Sequence, residues 1–70
     1  MNLRRLKALG ILGLDENASL AEIKAAFRRL AQVHHPDKFS SLGSEAVEAA
    51  SATFRRIKEA FDFLTGESHA

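Results

Sequence analysis

A single proline, Pro36, separates two long stretches whose apolar residues recur at helical spacing. Proline lacks a backbone N–H and pushes the residue before it out of the α region. A helix over about residues 20–34 is therefore expected to end just before His35. The segment His35–Lys38 then reads as a turn, since proline at the second position and an aspartate after it are both favoured there. The sequence thus predicts two helices joined by a loop that holds an imidazole and a carboxylate at its tip.

Periodic apolar residues predict three helices, over about 2–12, 20–34 and 44–65, with the loop spanning 35–43. The second and third helices are of similar length and a short loop joins them, so they are expected to pack as an antiparallel hairpin with the first helix across its open side. The prediction is one all-α domain over residues 1–70. The residues expected at the centre of its core are Ile23, Leu30, Phe54 and Phe61.

Residues at the predicted helix ends fit known capping patterns. Ser19 with Glu22 three residues later has the spacing of a capping box. Ser44 is a plausible cap for the third helix, while glycines at 13 and 66 are expected to stop the first and third helices.

Composition and charge exclude several classes of protein. The chain has no cysteine, which removes disulfides and thiolate metal sites. Its net charge is only +1, although residues 1–38 hold seven Lys/Arg against four acids and residues 39–70 hold three against five. No apolar run approaches the length of a membrane span, and Asp15-Glu16 follow the first apolar stretch where a signal-peptide cleavage site would need small residues. A membrane-surface role for the basic first helix is the alternative to simple core packing.

The loop tip does not look like a catalytic or metal site. The chain has no cysteine, no serine sits where a nucleophile elbow would place one, and so small a helical core leaves little room for a substrate cavity. Adjacent histidines diverge, so His34 and His35 do not make a metal pair, and His69 near the end of the chain is a poor third ligand. No enzyme activity, metal or cofactor is expected.

Two kinds of partner suit a markedly basic second helix. A small three-helix domain of this outline can lie on a nucleic-acid backbone, but the helix lacks the Asn, Gln and Arg cluster that reads bases. Weak, electrostatically guided docking on an acidic protein fits better. A protein-interaction module is therefore the leading interpretation, with a small nucleic-acid-binding module as the alternative.

The order of motifs resembles the J-domain of DnaJ-type co-chaperones over about residues 9–65. The matching stretches are Leu12-Gly13-Leu14, Ala18-Ser19, Glu22-Ile23-Lys24, Ala26-Phe27-Arg28-Arg29-Leu30-Ala31, His34-His35-Pro36-Asp37-Lys38, and Phe54 with Ile57-Lys58-Glu59-Ala60-Phe61 and Leu64. A His-Pro-Asp tripeptide alone is a weak sign, but its place between these two helices makes the resemblance specific. The fold implied is a J-domain-like helical hairpin with a short N-terminal helix.

The resemblance implies a function and a set of residues. The family binds the ATP-bound form of a DnaK-type heat-shock chaperone and stimulates its ATP hydrolysis in protein folding, performing no hydrolysis itself. By position, the tripeptide His35, Pro36 and Asp37 would be the signalling motif. The docking face would comprise Lys24, Phe27, Arg28, Arg29 and Lys38. The resemblance implies no nucleic acid, no cofactor, and a monomer in the cytoplasm.

Several positions depart from the common family pattern. Phe27 stands where tyrosine is frequent, His34 precedes the tripeptide in place of an aromatic, and Phe39 stands where asparagine is common. The loop is also longer than in general-purpose members. These features resemble a membrane-anchored group with a C-terminal J-domain most, and an iron–sulfur-assembly group next. The sequence is therefore expected to be one domain of a longer protein. The domain itself is expected to make no direct membrane contact, while the longer protein would hold it at the cytoplasmic face of a membrane.

Overall fold

A computed structural model describes residues 2–66, and all of the regular structure in that part of the chain is helical. Helix α1 spans Leu3–Ile11, α2 spans Leu20–Val33 and α3 spans Ser44–Thr65. Between α2 and α3, Pro36–Leu42 forms a short 3-10 helix. The all-α prediction is confirmed, and the loop has more regular structure than the sequence indicated.

Helices α1 and α2 both pack on α3. The long α3 therefore forms one arm of the hairpin and also the platform for the N-terminal helix, as predicted. No described helix combines the length and apolar character needed to cross a bilayer.

The N-terminus of α2 has the predicted capping box. The Ser19 hydroxyl oxygen accepts from the backbone N–H of Glu22 at 3.1 Å, and the Glu22 carboxylate accepts from the backbone N–H of Ser19 at 2.9 Å. Two backbone donors that the helix leaves without partners are thereby satisfied. The first turn of α2 is thus stabilised by hydrogen bonds that lie within Ser19–Glu22.

The predicted cap at Ser44 is wrong. Ser44 is the first residue of α3, Gly43 occupies the cap position, and no side chain caps this helix. The reason is the backbone of Gly43, whose φ of 101° lies in a region that residues with a Cβ rarely adopt. A glycine-mediated change of direction, not a hydroxyl cap, starts α3.

Helix α1 ends in a Schellman motif centred on Gly13. The N–H of Leu14 donates to the carbonyl of Leu9 at 2.8 Å, and the N–H of Gly13 donates to that of Gly10 at 3.0 Å. Gly13 has a φ of 74°, which this motif requires and which glycine adopts without strain. The motif returns the chain towards the core, where Leu14 packs near Leu9 in the same cluster.

The core is centred farther from the loop between α2 and α3 than the sequence indicated. Leu9 and Leu12 of the first helix and its C-cap are fully buried, and Ile23 and Ile57 are nearly so. The buried cluster is completed by small side chains: Ala8, Ala26 and Ala60.

Three of the four residues predicted at the centre of the core lie at its edge. Ile23 is buried as predicted, but Leu30 and Phe61 are only partly buried against the cluster. Phe54 is also partly exposed and lies towards the loop. The cause is the position of α1, which covers Ile57 and Ala60 and leaves the loop end of the hairpin uncovered.

Candidate functional site

The His-Pro-Asp loop is held by two hydrogen bonds to His35. The backbone N–H of Asp37 donates to His35 Nδ1 at 3.2 Å, and the N–H of Lys38 donates to the His35 carbonyl at 3.0 Å. Pro36, which has no N–H to lose, starts the 3-10 helix in the position that suits it. Because Nδ1 acts as the acceptor, the proton of the neutral imidazole is on Nε2. The hydrogen bond from the Asp37 backbone thus fixes both the tautomer and the orientation of the His35 ring.

Asp37 presents its carboxylate to solvent. Its side chain is 93% exposed, compared with 48% for that of His35, and its Oδ2 lies 3.8 Å from His35 Nδ1. That distance is too long for a hydrogen bond, so the carboxylate keeps its acceptor capacity. The Asp37 carbonyl accepts from the Ser40 hydroxyl at 3.1 Å, which anchors the backbone beneath the side chain.

The loop rests on α3 through an aromatic contact. The rings of His35 and Phe54 meet edge to face, with centroids 5.5 Å apart and planes at 66°. This geometry matches the electrostatic preference of aromatic pairs. Phe54, assigned to the core from its spacing, therefore supports the loop instead.

The antiparallel register contained a signal for this contact. In an antiparallel hairpin, the residue numbers of contacting pairs rise along one helix as they fall along the other. Phe27 stacks on Phe61, and His35, eight residues after Phe27, contacts Phe54, seven residues before Phe61. The loop-supporting role of Phe54 was thus accessible from the sequence once one cross-helix pair was known.

The cations of the predicted docking face are exposed. Lys24, Arg28 and Arg29 lie on α2, and Lys38 follows the tripeptide in the 3-10 helix. Within residues 2–66, none of the four is paired with a carboxylate. A basic surface beside the loop is therefore available to an acidic partner.

Phe27 differs from the other residues assigned to that face. It is partly buried, and its ring stacks on that of Phe61 with centroids 4.2 Å apart and planes at 19°. The ring packs against the hydrophobic cluster. Its packing role is evident, while its role in docking stays a prediction.

The loop and the start of α3 also line an open apolar depression that the sequence pattern did not indicate. Its sides include Phe39, the 69%-exposed Leu42, and Ala46 and Ala49 of α3.

In the described part of the chain, no group of three or more His, Asp or Glu side chains is placed to hold a metal ion.

Comparison with known proteins identifies the family. The family model described as "DnaJ domain" matches residues 8–69. The chain is 43% identical over 58 residues to the chaperone protein DnaJ of Mesomycoplasma hyopneumoniae, covering 83% of this chain and 16% of that protein. It is 44% identical over 55 residues to human DnaJ homolog subfamily C member 7, covering 79% of this chain and 11% of that protein.

The same part of the chain aligns with other bacterial relatives. It is 47% identical over 55 residues to the chaperone protein DnaJ of Mycoplasmopsis pulmonis, covering 79% of this chain and 13% of that protein. The chain therefore spans less than one fifth of the length of these relatives. No solved structure gives a significant match. From the family match and these identities, the chain belongs to the DnaJ domain family.

Proposed function

We propose that this domain is a co-chaperone module that docks on the ATP-bound form of a DnaK-type chaperone and stimulates its ATP hydrolysis. The observation that supports this most directly is the hydrogen-bonded His35-Pro36-Asp37 loop with its exposed Asp37 carboxylate, in a chain of the DnaJ domain family. The domain itself catalyses no reaction and uses no cofactor. It acts as a monomer, and the cytoplasm is the compartment in which it meets its partner.

The proposed docking is electrostatic at first. The exposed cations Lys24, Arg28 and Arg29 steer the domain to an acidic surface of the chaperone. Contacts of this kind are individually weak and sensitive to salt, so they set orientation and association rate more than final affinity.

The loop then supplies the specific contact. A carboxylate with free lone pairs can accept two parallel hydrogen bonds from an arginine, and Asp37 is exposed enough for this. His35 lies beside it with its Nε2–H available as a donor, because Nδ1 is already occupied by the Asp37 backbone. Because hydrogen bonds already hold the loop in the free domain, it presents both groups at a reduced ordering cost on binding.

The test is single-turnover ATP hydrolysis by a bacterial DnaK-type chaperone, with and without the domain. His35→Gln is expected to abolish stimulation and to leave the helical circular dichroism spectrum unchanged. The matched control is His34→Gln, which makes the same chemical change at the preceding residue and is expected to keep most of the stimulation.

Two outcomes would contradict the proposal. One is a parent domain that fails to stimulate hydrolysis at concentrations that saturate its binding to the chaperone. The other is equal loss of stimulation in both histidine variants, which would mean that the effect is not specific to the tripeptide. Unfolding of His35→Gln would instead show that the ring is structural.

A further inference from the structure

A groove with an apolar floor runs between α1 and α3. Its floor is Ala8 and Ala60, which are 6% and 5% exposed, and its sides include Ile11 and Phe63. The two helices contribute residues at matching spacings of three, four and seven, so each presents one continuous stripe to the groove. The small floor residues leave open space that larger side chains would fill.

The volume of the groove suits protruding side chains more than a small molecule. It measures about 270 Å³, just below the roughly 300–1,000 Å³ of typical small-molecule sites. The groove is also open along its length, and past Ile11 and Arg56 it continues into a second depression that Leu30, His34 and Thr53 help to line. An elongated track of this kind fits a helix or an extended segment.

The rim of the groove is basic. Arg4 and Lys7 of α1 and Arg56 of α3 are exposed on it, against one acid, Glu59. Within residues 2–66, none of these three cations forms an ion pair. Arg4 also lies in the first turn of α1, which has no acidic residue, and a cation there opposes the helix dipole. The positive charge of Arg4 therefore does not serve to stabilise α1 through its dipole.

The groove is separate from the surface assigned to the chaperone. Neither the tripeptide His35, Pro36 and Asp37 nor the cations of α2 line any part of it. The two surfaces share no residue, so each can be altered by substitution while the side chains of the other stay unchanged.

We propose that this groove binds an acidic amphipathic helix of a partner protein. The apolar side chains of that helix lie between Ile11 and Phe63, and its carboxylates meet Arg4, Lys7 and Arg56. The argument is charge complementarity on a concave apolar track, the combination by which grooves recognise amphipathic helices. A bilayer is disfavoured because the apolar floor lies below the cations, where a flat lipid surface does not reach.

The test is a titration of the isotope-labelled domain, followed by NMR, with a synthetic helical peptide that has leucines on one face and glutamates on the others. Shift changes are expected along Leu3–Ile11 and along Arg56–Phe63. Arg4→Glu with Lys7→Glu is expected to weaken binding by at least about tenfold, because two favourable rim contacts become repulsive. Lys24→Glu with Arg28→Glu makes the same charge change on α2 and is the matched control, expected to leave the affinity unchanged.

Three results would overturn the proposal. Equal weakening by the α2 control, or shifts concentrated on α2, would mean that the peptide follows general positive charge. Equal binding of a peptide with glutamine in place of leucine would remove the role of the apolar floor. Sedimentation of the domain with phosphatidylglycerol vesicles, lost in Arg4→Glu with Lys7→Glu while the peptide fails to bind the parent, would assign the surface to membranes.

The chaperone assay separates this proposal from the proposed function. Arg4→Glu with Lys7→Glu is expected to stimulate ATP hydrolysis as well as the parent does, since the loop and α2 are unchanged. His35→Gln is expected to bind the peptide with the parent's affinity. Loss of stimulation in the α1 variant would contradict the independence of the two surfaces.

Discussion

The imidazole of His35 meets the ring of Phe54 edge to face, with centroids 5.5 Å apart, and this contact ties the tip of the loop to the middle of α3. The loop has its own hydrogen bonds, but these lie within residues 35–40 and do not attach it to the rest of the domain. The packing of Phe54 therefore helps to determine where the His35 ring lies, together with the packing of the 3-10 helix on α3.

Phe54→Ala is expected to reduce stimulation of the chaperone several-fold and to lower the free energy of unfolding. Full truncation of a buried Phe costs about 3–5 kcal/mol, and the partial exposure of Phe54 reduces the expected loss to about 1–2 kcal/mol. Single-turnover hydrolysis and urea denaturation measure the two effects. Phe54→Leu, which keeps apolar volume but no ring, should recover most of the stability and less of the stimulation. Full stimulation by Phe54→Ala would show that the contact has no part in signalling.

Arg28→Ala with Arg29→Ala is expected to weaken docking on the chaperone by about three- to tenfold, since each exposed ion pair contributes roughly 0.2–1 kcal/mol. Binding of the parent should also fall as salt rises, and the variant should show a shallower salt dependence. Fluorescence titration against the ATP-bound chaperone at low and high salt gives both quantities. Arg55→Ala with Arg56→Ala removes the same charge from α3 and should bind like the parent. Salt-independent binding of the parent would be inconsistent with electrostatic steering.

The stacked pair Phe27 and Phe61 is expected to be coupled energetically. In a double-mutant cycle of alanine variants followed by urea denaturation, the coupling should be about 0.5–1.5 kcal/mol, the usual range for aromatic pairs. Phe27→Ala alone should cost about 2 kcal/mol because its ring is partly buried. Additive losses in the cycle would mean that the stack contributes no more than its buried area.

The capping box predicts a pH dependence of stability. The Ser19 backbone N–H, and secondarily the Ser19 side chain, hydrogen-bond to the Glu22 carboxylate and lower its pKa below the ordinary value of 4.5. The folded state thus holds this proton less tightly than the unfolded state, so the contribution is complete above pH 4.5 and is lost as pH falls through the lower folded value.

Glu22→Gln is therefore expected to flatten the fall in melting temperature between about pH 5 and pH 3. Thermal unfolding followed by circular dichroism at several pH values measures the slope. The matched control is Glu16→Gln, because Glu16 accepts no hydrogen bond from a side chain or a backbone N–H in residues 2–66, and it should keep the parent's slope. An unchanged slope in Glu22→Gln would contradict the assignment.

Local features of this domain were predictable because they depend on near neighbours in the chain. The Ser19 capping box, the end of α2 before Pro36 and the glycine stop at Gly66 follow from short-range hydrogen bonding and backbone sterics. Apolar periodicity within each helix likewise predicted three helices, and the short loop between the second and third predicted the hairpin. The capping and steric rules act within about one helical turn, and the structure agrees with them except at Ser44, where Gly43 takes the cap position.

Features that depend on the position of α1 were less predictable. Apolar periodicity identifies the inward face of a helix but does not show which residues along that face are most deeply buried. Phe54 and Leu30 were therefore predicted at the centre of the core, whereas Leu9 and Leu12 occupy it. The basic groove was missed for a related reason. Its rim combines residues from the first and last helices, and only the crossing of α1 over α3 brings Arg4 and Arg56 to the same surface.

Of the residues buried in the described part of the chain, half are alanines: Ala8, Ala26, Ala50 and Ala60. Helices that meet through methyl groups approach each other closely, so their spacing is set largely by the backbones. Ala8, Ala50 and Ala60 also line open depressions that give a larger side chain room. Ala26 is buried within the hydrophobic cluster, so enlarging it must displace its neighbours, which typically costs about 1–3 kcal/mol, whereas reducing it to glycine costs about 1 kcal/mol. At Ala26, therefore, a more hydrophobic substitution is the more damaging one, whereas at the other three alanines the surface can take a larger side chain.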